Sequence, residues 1–85
     1  MTFEEARARF PVLTRVAYLN AGTFGPLSRA TIAAAARETE RDLHEGRVGL
    51  PWYDHVSALR QAAREEIAGL VGAPADHVAL TASTS

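Results

Sequence analysis

Apolar positions recur most regularly in the second half of the chain. Trp52, Val56, Leu59, Ala63, Ile67 and Leu70 follow one another at steps of three and four, the spacing of one helix face. Pro51 stands where such a helix can start, and Gly72 is placed to close it. Ala73-Pro74-Ala75-Asp76 then turns the chain. A second helix is expected from Ser28 to about Glu45. Its buried stripe would be Ile32, Ala35, Ala36, Thr39 and Leu43, with Arg37, Glu38, Glu40, Arg41 and Asp42 on a solvated face. Ser28 is a good N-cap, although Thr31 stands where a full capping box has Glu. Leu27 ahead of Ile32 suits a hydrophobic staple, and Gly46 falls at the position after the helix that favours glycine.

The ends of the chain carry shorter signals. Thr2 with Glu5 has capping-box spacing, and Phe3, Ala6 and Phe10 share a face, so Thr2 to Phe10 reads as a short helix stopped by Pro11. Val12 to Asn20 is a connector with a short extended piece, Val16 to Leu19. Val78-Ala79-Leu80 reads as a short buried strand, and it runs directly into Thr81-Ala82-Ser83-Thr84-Ser85. Small hydroxyl residues after a strand suit an anion-binding turn. Such a turn usually opens a helix, and none follows. This segment is therefore expected to be mostly α, with two amphipathic helices and a short C-terminal strand. The expected divisions are 1–27, an N-terminal helix and loop, and 28–85, two helices leading into the strand and turn. The pattern suggests the N-terminal portion of a larger α/β enzyme.

Composition narrows the chemistry. At 85 residues the chain is at most one small domain and buries little of its own surface. A hydrophobic content of 47% argues against disorder. There is no cysteine, so these residues offer no disulfide, thiol nucleophile or thiolate metal ligand. All nine Lys+Arg positions are arginine, so no Schiff-base lysine comes from here. A net charge of −1 with dispersed arginines leaves no footprint for nucleic acid. No apolar run nears the ~20 residues that span a bilayer, and no signal peptide is expected. No membrane partner and a cytoplasmic location are the expectation.

Candidate polar sites are few. Asn20-Ala21-Gly22-Thr23-Phe24-Gly25-Pro26-Leu27 is a sharply turning loop whose glycines allow close backbone approach to a ligand; it also reads as a plain turn before a helix. His44-Glu45 and Asp54-His55 lie near different helix ends and read as solvated residues rather than a metal site. Arg47, alone between glycines, reads as a surface residue, with an anion ligand as the alternative, and His77 reads as a turn residue. No glycine-rich phosphate loop is present.

Three stretches together resemble the N-terminus of the class V aminotransferase family, which uses pyridoxal 5′-phosphate (PLP) on fold type I and includes cysteine desulfurases, selenocysteine lyase, isopenicillin-N epimerase-like proteins and kynureninase. The first is Phe10-Pro11 followed by Tyr18-Leu19-Asn20-Ala21-Gly22-Thr23-Phe24-Gly25-Pro26. The second is Trp52 through Arg60 to Ala68, Leu70, Gly72 and Ala73. The third is Val78 to Ser85. Each is weak alone, and their order and spacing give the set its specificity. The match covers nearly all of this chain and a small part of a typical member.

The resemblance implies a PLP-dependent transferase fold with a mainly parallel sheet, a homodimer, and an amino-acid substrate undergoing C–S cleavage, transamination or racemisation, with the desulfurase and lyase group favoured. It implies Ser83, Thr84 and Ser85 as cofactor-binding residues at the phosphate, with Ser83 standing where the family has glycine. It places Asn20, Ala21 and Gly22 near the substrate carboxylate. It implies no catalytic residue here, since the family's lysine, pyridine-facing aspartate, stacking histidine and carboxylate-binding arginine all lie further along. The rival reading is a stand-alone helical interaction module without catalysis, pairing its helices through the Ile32 and Leu59 faces.

Overall fold

The computed structural model describes residues 1–83. Its helices are α1 (Phe3–Ala8), α2 (Arg29–Glu45) and α3 (Gly49–Val71), with 3₁₀ turns at Pro11–Thr14 and Ala75–His77. The described residues are thus mostly helical, as expected. They fall into two compact units, Met1–Glu45 and the residues from Gly46 onward.

In the first unit, α1 opens with the expected capping box. Thr2 Oγ1 accepts the Glu5 N–H at 3.1 Å and Glu5 Oε2 accepts the Thr2 N–H at 2.7 Å. The helix ends before Phe10, which lies at φ −122° and ψ 88°, outside the helical region that Pro11 disfavours for its predecessor. The 3₁₀ turn that follows is pinned by Arg7 Nη2 donating to Leu13 O at 2.9 Å and Thr14 Oγ1 donating to Pro11 O at 2.8 Å. The start of α2 is tied back to the end of α1 by Arg29 N–H to Arg9 O at 3.0 Å. Ser28 caps α2 as expected, its Oγ accepting the Thr31 N–H at 3.1 Å.

The stripe expected to be buried on α2 is not. Ile32 is 53% exposed and Leu43 73%, and no α2 residue is buried. The reason is length. The 17 residues of α2 run for about 25 Å at 1.5 Å per residue. The other helix of this unit has six residues, about 9 Å by the same rise. It is too short to cover the stripe.

In the second unit, α3 starts two residues ahead of Pro51. Gly49 turns the chain in at φ +72°, and Pro51 falls in the first turn, where a missing N–H costs no intrahelical bond. Gly72 closes the helix at φ +70°, in the left-handed region. The Ala73 N–H reaches back to Ala68 O at 3.0 Å, the long bond of a Schellman cap. The second 3₁₀ turn folds back on the end of α3.

That reversal corrects the expected core. Trp52, Val56 and Ala63 are half-buried, but Leu59 and Ile67 are exposed and Leu70 is 87% exposed. The buried residue is Ala68, at 5%. Ala68 lies one residue beyond Ile67, off the stripe, and its carbonyl accepts the Ala73 N–H where the chain turns back after Gly72.

The strand expected at Val78–Leu80 also needs correction. Val78 has extended geometry, φ −103° and ψ 120°, yet no strand forms among the described residues. A strand exists through its ladder, and these residues supply no partner for one. No described helix is long and apolar enough to cross a membrane.

Candidate functional site

The candidate substrate-side residues lie in a loop that fastens itself. The Tyr18 phenol donates to Phe24 O at 2.6 Å and closes the loop across six residues. Inside it, Asn20 Oδ1 accepts the Gly22 N–H at 3.1 Å, an Asx turn. A Cβ on Gly22 would lie 3.4 Å from Asn20 Oδ1, an ordinary van der Waals contact. Asn20, Ala21 and Gly22 are all exposed. Because Oδ1 is committed to the turn, what Asn20 offers an anion is its amide nitrogen, a donor. The structure therefore brings Asn20 and Gly22 together, with Ala21 between them.

Beside this loop an open apolar groove of about 730 Å³ runs along the start of α2, lined by Pro11, Val12, Tyr18, Leu27, Ile32 and Ala36 among others. Leu27 and Ile32, the residues expected to staple the helix, both border it and both stay exposed.

The candidate phosphate-side residues belong to the second unit. Thr81 Oγ1 donates to Ser83 O at 2.9 Å, so the hydroxyl run begins as a locally bonded turn. Ser83 is exposed. Thr84 and Ser85, the other two expected phosphate ligands, lie outside the described residues. Phosphate needs several convergent donors. Among the described residues the Thr81 hydroxyl is turned onto its own chain, and no chemical step is assigned through the phosphate.

The two His-acid pairs noted in the sequence do not become a metal centre. On α2, His44 Nε2 lies 2.8 Å from Glu40 Oε1, one turn back, while Glu45 pairs with Arg41 at 3.0 Å. The adjacent His44 and Glu45 thus look to different partners. Among the described residues no group of three or more His, Asp or Glu side chains is placed to hold a metal ion.

Sequence reasoning missed Tyr18 as the clasp of the loop and Arg7 as the clamp on the first 3₁₀ turn. Both donate to backbone carbonyls, which every residue carries, so no sequence spacing marks the acceptor. No family model matches the chain, and neither the comparison with curated proteins nor that with solved structures found a match.

Proposed function

We propose that this chain is the N-terminal portion of a PLP-dependent enzyme acting on an amino acid, similar to the cysteine desulfurases and C–S lyases or the aminotransferases of class V. The enzyme would have an α/β fold with a mainly parallel sheet, act as a homodimer and work in the cytoplasm. One observation supports this reading. Phe3, Leu19, Phe24, Leu43 and Leu70 are exposed, and Ala68 is the buried apolar residue of the described chain, while the Tyr18–Phe24 loop is closed by its own hydrogen bonds. Monomers rarely leave so much large apolar surface bare. A layer built to be covered by further structure, carrying one preformed polar loop, has this character.

In this reading the Asn20 amide nitrogen holds the substrate carboxylate, and Ala21 and Gly22 form the wall beside it. Ser83, Thr84 and Ser85 supply part of the phosphate anchor. PLP, when bound, supplies the electron sink; this chain contributes binding and orientation.

The test is the absorption spectrum of the protein purified from the cells that make it, before and after borohydride. The expected result is a visible band that borohydride bleaches, the mark of a cofactor held on a lysine. These 85 residues contain no lysine, so that lysine would lie elsewhere in the working enzyme. A preparation that is colourless and stays so with added PLP would sink the proposal. The helical interaction module, pairing its helices through the Ile32 and Leu59 faces, would then take its place.

A further inference from the structure

We draw no further inference here: the strongest candidate, the open apolar groove that Pro11, Val12, Tyr18, Leu27, Ile32 and Ala36 line along the start of α2, is an unpartnered face, and nothing in the structure shows what covers it.

Discussion

The first unit is shaped by side chains that bond to nearby backbone, and the second by one helix and the way it ends. From Thr2 to Thr31, seven side chains (Thr2, Glu5, Arg7, Thr14, Tyr18, Asn20 and Ser28) each bond a backbone group within six residues. In the second unit the Gly72 cap and the 3₁₀ turn behind it close over Ala68. Exposed hydrogen bonds replace bonds to water and contribute about 1 kcal/mol or less each. Burial depends on fit and is lost more abruptly. The first unit should therefore weaken in small independent steps, and the second at a single point.

The largest effect is expected at that point. Ala68→Leu places an isobutyl group where the structure leaves 5% of a residue exposed, and overpacking of this kind costs about 1–3 kcal/mol. Ala62 is on the same helix and exposed, so Ala62→Leu is the control and should be close to neutral. Loss of helical circular dichroism on heating separates the two. Equal melting of both variants would mean that the 3₁₀ turn does not rest on α3.

Two glycines three residues apart should respond with opposite signs. Gly72 has φ +70° and an added Cβ there meets no atom within 4 Å. Gly72→Ala therefore isolates the left-handed backbone penalty, roughly 1–2 kcal/mol. At Gly69, inside α3, the added Cβ also meets open space, and Gly69→Ala should stabilise by up to about 1 kcal/mol through helix propensity. The same melting experiment checks both. A stabilising Gly72→Ala would remove the cap from the account of the second unit.

Ser28→Ala tests the first unit's manner of stabilisation. Loss of the bond from the Thr31 N–H should cost about 1 kcal/mol, with faster amide exchange in the first turn of α2. Ser28→Asp keeps an acceptor and adds a charge favoured at a helix N-terminus, so it should restore protection. If Ser28→Ala left the exchange of α2 unchanged, local polar bonds would not be what holds this unit.

Features encoded within a few residues were legible in the sequence. The Thr2–Glu5 box, the Ser28 cap, the left-handed Gly46 and Gly72 and the extent of α2 each depend on neighbours along the chain. What each face meets was not. The period of α3 names Leu70 as core, but the chain reversal after Gly72 decides that Ala68 is covered instead. Val78 to Leu80 has strand composition, yet pairing needs a second strand that no local pattern supplies. At the candidate site, the turning loop from Asn20 to Leu27 was readable from its glycines and proline. Its Tyr18 clasp was not, because its acceptor is a main-chain carbonyl.

The smallest expected effect lies at the end of α2, where attraction and repulsion nearly cancel. Arg41 and Glu45 approach to 3.0 Å, with the carboxylate side chain 62% exposed. An exposed pair at this helical spacing contributes about 0.3–0.5 kcal/mol, and the arrangement with the acid C-terminal to the base is the weaker one. Glu45 is also the last residue of the helix, where a negative charge opposes the macrodipole by about 0.3–1 kcal/mol. Glu45→Gln removes both contributions at once. Its melting temperature should stay level or rise slightly at low salt. The difference should vanish at about 1 M salt, where charges are screened beyond ~3 Å. A clear destabilisation at low salt would mean that the ion pair outweighs the dipole, and the first unit would owe part of its stability to charge pairing in addition to its side-chain-to-backbone bonds.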